Sequence, residues 1–468
     1  MRYNSNCACS SVELECNSPK VEVTRLNRVK RTSSYIITVR YMKNILEKMS
    51  YFWKKIADAF FGFLKKYDWI VLLIVLTIFG IVIRVLLFDK VTDDFTIFLN
   101  NWYKNFYDDG FMAMGRNVGD YTPAYNYFLW FFSIFRLEPG SLQLLRCIKT
   151  ISISFDYLIA IYSGLIVYRI SCNDRIKAIT TYGLVLFGLT IFINSSLWGQ
   201  CDSIYASFVV MSFYYFMRSH HRTSSIMLGL ALAFKLQAIF VIPFYIVMFL
   251  RRKVNLKYLI WIPLVYVAFA IPACFAAPDF FVRFKDICKV YFNQSTNSYK
   301  QIALNCSTLY SLIFNNFAEE QYIAAFSIPF AIIIIGLFIF FIYRSPVEFN
   351  DKTLVKVFLL FVMLTPFVLP HMHDRYYYIA DVAIMIYVVL FPKKFYLAIM
   401  AILTSMIGYS AYLWRVYFIN IGGDSSLSFR AGAIIYLVAI CLVSLDLFKE
   451  LYPNFQSQKE ISSGEKDL

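Results

Sequence analysis

The sequence is short of charge. Only 16% of its 468 residues are Asp, Glu, Lys or Arg, against about a quarter in an ordinary soluble domain, too few to cover a soluble surface. The cysteines lack a metal pattern: Cys7, Cys9 and Cys16 lie in a polar N-terminal stretch with no matching ligand set. Cys288 and Cys306 share one long loop, where a disulfide and two free thiols are both open readings. A cleavable leader is not expected, because the first 65 residues are polar and basic and hold no apolar stretch long enough for a signal core. Met42 and Met49 would each also serve as a start. Despite a net charge of +15, no basic–aromatic module appears, and nucleic acid is not an expected partner. Much of the excess precedes the first apolar run, from Arg25, Arg28, Lys30 and Arg31 to Lys65 and Lys66, and most of the rest marks the ends of later runs.

What the chain has is apolar length. It is 59% hydrophobic and 19% aromatic, with a mean hydropathy of +0.58. The apolar residues gather into runs near 69–88, 148–168, 178–197, 203–217, 224–236, 237–250, 257–277, 322–343, 353–369, 376–391, 394–413 and 431–447. Backbone groups in lipid must be satisfied within the segment, so such runs predict helices. The expected fold is an all-α polytopic membrane protein of about 12 transmembrane helices. The apolar segment 121–135 is short and suits a juxtamembrane or re-entrant helix. If it does not cross, the loops holding Arg169–Lys177, Arg218–Arg222, Arg251–Lys253, Arg344–Lys352 and Lys393–Lys394 share the side of the basic N-terminus, as the positive-inside rule requires. If it crosses, the rule fails at each of them. The expected organisation is therefore a basic cytoplasmic tail (1–68), a transmembrane domain (69–447) with large external loops at 89–146 and 278–321, and a cytoplasmic C-terminal tail (448–468).

This topology collects the unexplained polar residues on the external face. The first loop opens with Asp93-Asp94-Phe95, continues to Trp102, and reaches Gly119-Asp120-Tyr121-Thr122-Pro123-Ala124-Tyr125. A carboxylate just past a span, partly desolvated by aromatic residues, suits a general base; solvated acids on a wet loop are the plain alternative. Asn194-Ser195-Ser196-Leu197-Trp198-Gly199-Gln200-Cys201-Asp202 forms a turn whose Trp, Gln and Asp can face a polar cavity. Asn194, Asn293 and Asn305 also open glycosylation sequons, a triplet common by chance. Lys235-Leu236-Gln237 places a cation in an apolar stretch, where it pairs with an anion, lines a cavity, or snorkels to the interface. The turn His371-Met372-His373-Asp374-Arg375 offers a planar cationic fork suited to phosphate and two imidazoles. A metal held by His371, His373 and Asp374 ranks below that reading, since no third clear ligand is visible, and a mixed-charge interfacial turn is the structural alternative. Asp156 and Asp381 fall inside spans, where an acid either serves function or pairs with a nearby base.

These blocks, with Asn305-Cys306-Ser307-Thr308-Leu309-Tyr310, resemble in content and order the GT-C superfamily of integral-membrane glycosyltransferases, and among them prokaryotic relatives of the GPI mannosyltransferases. The resemblance spans about 69–447. Asn101 stands where the family pattern has Pro, and Ala124 replaces the second Pro of a Pro-Pro-Tyr motif. The resemblance implies an inverting transfer of a mannose-like hexose from a polyprenyl- or dolichyl-phosphate donor to a lipid-linked or surface glycan acceptor on the extracytoplasmic face. It implies no cofactor and generally no metal. It places the catalytic base at Asp94, with Asp93 one residue away. Arg375, His373, His371 and Lys235 would meet the donor phosphate; Trp102, Asp120, Tyr121, Tyr125, Trp198, Gln200, Asp202 and Gln237 would meet substrate. The expected site of action is a bacterial plasma membrane rather than endoplasmic reticulum. A lipid-linked-oligosaccharide flippase or other multi-pass transporter would also show many spans, but predicts internal repeats and polar residues along the whole crossing path. No convincing repeat is present, and the polar residues favour one face.

Overall fold

The computed structural model describes residues 19–293, 300–316, 318–319, 321–421 and 423–453. Cys7, Cys9, Cys16 and most of the C-terminal tail lie outside them. The protein is an all-α membrane protein, with seventeen α-helices (α1–α17) and a single two-stranded ladder among the described residues. Two units divide the chain, Met1–Val71 and Leu72–Leu468. In the first, the described residues are helical and form the opening part of α1 (Pro19–Leu87), which is kinked at the non-helical Tyr67.

Each apolar run of the sequence is helical, but the runs divide into two kinds. Six helices are long and apolar enough to cross a bilayer: Lys66–Leu87, Leu142–Ile170 (α4), Leu256–Cys274, Tyr322–Arg344, Pro392–Trp414 and Ser426–Leu451 (α17). A seventh candidate is α5 (Arg175–Leu186) joined to Leu189–Trp198 across a 47° bend. Five runs do not pass alone. These are α7 (Asp202–Met217), α8 (His221–Phe234), the segment Leu236–Leu250, α14 (Asp351–Val368) and α15 (Tyr378–Leu390). At 16 residues α7 is only about 24 Å long, short of the roughly 30 Å of hydrocarbon.

Burial explains the division. In Lys66–Leu87 and Leu256–Cys274 only 11% of the apolar window is buried, so most of each helix faces outward. By contrast, every residue of α14 from Thr353 to Val368 is buried. A helix walled by protein needs no full-length apolar surface of its own. In the second unit, α4 packs on α5 and α7, α7 on α8, and α14 on α15 and α17, while α15 also touches α4 and α5.

Ahead of α4, the predicted first loop has no helix long and apolar enough to cross a bilayer among the described residues. It folds as a wide π-type turn (Phe95–Leu99), α2 (Asn100–Asp109), a 3-10 turn (Gly110–Gly115) and α3 (Pro123–Ile134). At 12 residues α3 spans about 18 Å. The second loop carries α12 (Phe280–Asn293) and a strand β1 (Ala303–Leu304), which pairs in parallel with β2 (Met372–His373). The ladder ties the 300s loop to the His371–Arg375 turn.

Two sequence readings end in structure rather than function. Asp156 accepts Arg84 Nε at 3.0 Å and Nη2 at 2.9 Å, and the Ser195 hydroxyl at 2.6 Å. Arg84 also donates to the carbonyls of Gly80 and Leu186. The pair clamps the first span to α4 and α5. Cys288 and Cys306 are free thiols, so the disulfide reading is not realised. Asn194 and Asn305 are buried, which leaves their sequons closed to a glycosylating enzyme in the folded protein.

Candidate active site

Two π-type turns set the site. Asp94 immediately precedes the first, Phe95–Leu99, and Trp198 ends the second, Ile193–Trp198. Such turns widen the helix and re-aim side chains, often at functional positions. Gly199, at φ +80°, stops the second turn in the left-handed region that favours glycine. Thr92 Oγ1 donates to the Trp198 carbonyl at 2.9 Å. The buried Lys149 Nζ donates to the carbonyls of Leu87, Lys90 and Leu197, at 3.2, 2.7 and 3.1 Å. These bonds hold the two turns together from behind.

Asp94 is thereby fixed. Its Oδ2 accepts the Trp198 indole N–H at 2.8 Å and the Gln200 amide, and its Oδ1 accepts the Tyr412 hydroxyl. The Tyr412 ring stacks on Trp198 with centroids 4.7 Å apart. A carboxylate has about four lone-pair directions. Two on Oδ2 and one on Oδ1 are taken, leaving one on Oδ1 beside the cavity.

That cavity, about 160 Å³, is lined from six distant segments of the chain. Asp94, Trp102, Asp120, Tyr121 and Tyr125 come from the first loop, Gln200 from just after the second π turn, Lys235 and Gln237 from the break after α8, and Leu304 from β1. His373, Asp374 and Arg375 come from the turn before α15, and Tyr412 from the end of α16 (Phe395–Trp414). The aromatic wall is built edge to face: Trp102 meets Tyr121 at 5.2 Å and Tyr121 meets Tyr125 at 5.4 Å. Gly119 makes room for it, since a Cβ there would come within 2.4 Å of the Trp102 ring.

The cations are already engaged. Lys235 forms a salt bridge to Asp202 Oδ1, and Asp202 Oδ2 accepts Asn194 Nδ2 at 2.9 Å. Arg375 lies among three carboxylates but close to none: 3.4 Å from Asp202, 3.5 Å from Asp374 and 3.8 Å from Asp94. Burial, then the positive charges of Arg375 and Lys235, push the His373 imidazole down to about 3. It is therefore neutral at pH 7. Burial pushes the Asp374 carboxyl up to about 7; Arg375 opposes the shift, and Asp94 and Asp202 add to it. Burial alone raises Asp120.

Ten of the fourteen residues singled out in the sequence line this one cavity. Trp198 and Asp202 stand behind the lining, holding Asp94 and Lys235. Two residues are elsewhere. Asp93 is exposed and meets Arg415 at 3.5 Å. His371, at φ +60°, places Nδ1 2.8 Å from the Gln301 carbonyl and lines a neighbouring apolar groove. Among the described residues no group of three or more His, Cys, Asp or Glu is arranged to hold a metal ion, so His371, His373 and Asp374 do not converge. Tyr412, Lys149 and Asn194 were missed as site-builders. Only Asn194 sat in a block already singled out. No known family model matches the chain, and no curated protein matches it.

Proposed function

We propose that the protein is an inverting glycosyltransferase that takes a hexose from a polyprenyl- or dolichyl-phosphate donor, acting on the external side of a membrane crossed about twelve times. One observation carries the reading: Asp94, anchored by three donors yet retaining a lone pair, faces a cavity that also holds an aromatic wall and a loosely held arginine. In the GT-C resemblance the same position supplies the base.

The chemistry follows from these groups. The acceptor hydroxyl gives its proton to Asp94 Oδ1 while its oxygen attacks the anomeric carbon. The carbon–oxygen bond to phosphate breaks on the opposite face, and the lipid phosphate leaves with the electron pair. Arg375 draws it off: contacts of 3.4–3.8 Å to carboxylates are weak enough to be exchanged for a bidentate phosphate contact. Lys235 adds positive charge from behind, and electrostatic stabilisation of the leaving group lowers the barrier. Gln237 Oε1 is buried and takes no hydrogen bond from the described residues, so it is available to a sugar hydroxyl. The apolar groove of about 430 Å³ beside the cavity shares Gln237 and Tyr376 with it and suits the prenyl chain.

The test is direct. Purified protein in lipid is supplied with radiolabelled polyprenyl-phosphate sugars and a lipid extract as acceptor. Label moving to an acceptor, with lipid phosphate released, supports the proposal. Label that crosses sealed vesicles still joined to its lipid would replace it with a flippase.

A further inference from the structure

The first unit carries a pattern that the reaction does not use. From Arg40 to Ala59 the chain is helical. At about 100° per residue, Met42, Ile45, Leu46, Met49, Phe52 and Trp53 fall on one side, and all are at least 41% exposed. The flanks of this stripe are lysines: Lys43 and Lys54 on one border, Lys48 and Lys55 on the other. The two acids of the segment, Glu47 and Asp58, sit on the far side beside Arg40. An apolar face, cationic borders and acids placed farthest away are the arrangement that an interfacial helix needs. Border lysines lay their stems along the apolar face and carry their ammonium groups up to the headgroups.

The neighbouring chain supplies the partner. Ala59 precedes the first span, Lys66–Leu87, by only about 10 Å of helix rise. At the start of that span Tyr67 leaves helical geometry, at φ −121° and ψ 23°. A second copy of the chain fits less well. The apolar arc, about 120° wide, exceeds a coiled-coil seam, and the lysine borders of two copies would repel.

We propose that Arg40–Ala59 lies in the headgroup plane of the cytoplasmic leaflet, apolar face down, and that Lys43, Lys48, Lys54 and Lys55 make it selective for anionic lipid. The inference rests on the membrane fold and not on the glycosyltransferase reading.

The experiment uses the full chain in nanodiscs of phosphatidylcholine with and without phosphatidylglycerol. Nitroxide labels are placed at Ile45, Phe52 or Ile56, and at Asn44, Glu47 or Asp58, on a background depleted of native cysteines. Oxygen, which concentrates in lipid, should relax the first set several-fold more than a water-soluble nickel reagent does, and the order should invert for the second set. Omitting phosphatidylglycerol, or introducing Lys48→Glu with Lys55→Glu, should raise nickel access at the first set several-fold. Equal nickel access on both faces would overturn the proposal, as would spin–spin broadening from a second copy. A two-faced pattern indifferent to lipid charge would overturn the anionic selectivity.

Discussion

Arg84 and Arg375 both meet carboxylates inside the second unit, yet they are held in opposite ways. Arg84 is 1% exposed, and its Nε and Nη2 bond Asp156 at 2.9–3.0 Å, with two carbonyls engaging two more of its five N–H groups. Arg375 is 17% exposed, opens on a cavity, and stands 3.4–3.8 Å from three carboxylates. Buried charge by itself therefore does not mark a site. A saturated pair fixes the packing of helices, whereas a cation shared loosely among several anions keeps capacity for an incoming one.

The largest effect expected from this contrast is on turnover. Asp94→Asn keeps the size of the side chain but removes the basic oxygen. It should lower the transfer rate by about 10²–10⁴-fold, with folding and donor binding retained. Asp93→Asn changes an exposed group paired only with Arg415 and should cost roughly tenfold or less, since surface pairs are weak. Steady-state rates with a labelled donor decide it. A larger loss in Asp93→Asn than in Asp94→Asn would move the base by one residue.

Next in size is stability. Arg84→Met strands a buried Asp156 and should cost about 3–5 kcal/mol, while the double replacement Arg84→Met with Asp156→Leu should recover much of it. Rate per folded molecule should stay near normal. Arg375→Met should do the reverse, with turnover falling far more than the unfolding midpoint. Equal destabilisation in the two arginine variants would erase the distinction between them.

Much of this was legible in the sequence, for physical reasons. Apolar length identifies helices, and the shortness of the 121–135 run is matched by α3, which has only 12 residues. The count of spans was less legible, because a run such as 353–369 reads alike whether lipid or protein surrounds it, and α14 is walled by protein. Lys235 stands out as a cation in an apolar stretch, Arg375 by the polar density of its turn, and Asp94 by its place just past a span and by the resemblance. Tyr412 did not stand out: an amphipathic ring at the end of an apolar run looks like an interfacial anchor, and its bond to Asp94 spans 318 residues. His371 was grouped with His373 by adjacency, but its φ of +60° takes it out of the strand and out of the cavity. The π turns that aim Asp94 and Trp198 have no sequence signature.

The smallest effect concerns pH, and it tests how loosely the cavity holds its charges. In the folded protein the Asp374 carboxyl keeps its proton up to about pH 7, whereas in the unfolded chain it titrates near 3.8. Its contribution to stability is thus complete below about pH 4, is lost as pH climbs to about 7, and is constant beyond. His373 runs the other way: neutral in the fold down to about 3, against 6.5 when unfolded, it contributes fully above 6.5 and loses that contribution as pH falls toward 3. Between pH 4 and 6.5 the two slopes oppose each other, each at about 1.4 kcal/mol per pH unit when steepest. Asp374→Asn removes one of them. The variant should therefore gain stability with rising pH to about 6.5 and then level off, while the native protein shows a flatter curve over that window. Unfolding midpoints measured in detergent from pH 4.5 to 8 give the comparison, with ionic strength fixed. Parallel curves for the two proteins would mean that Asp374 ionises normally in the fold.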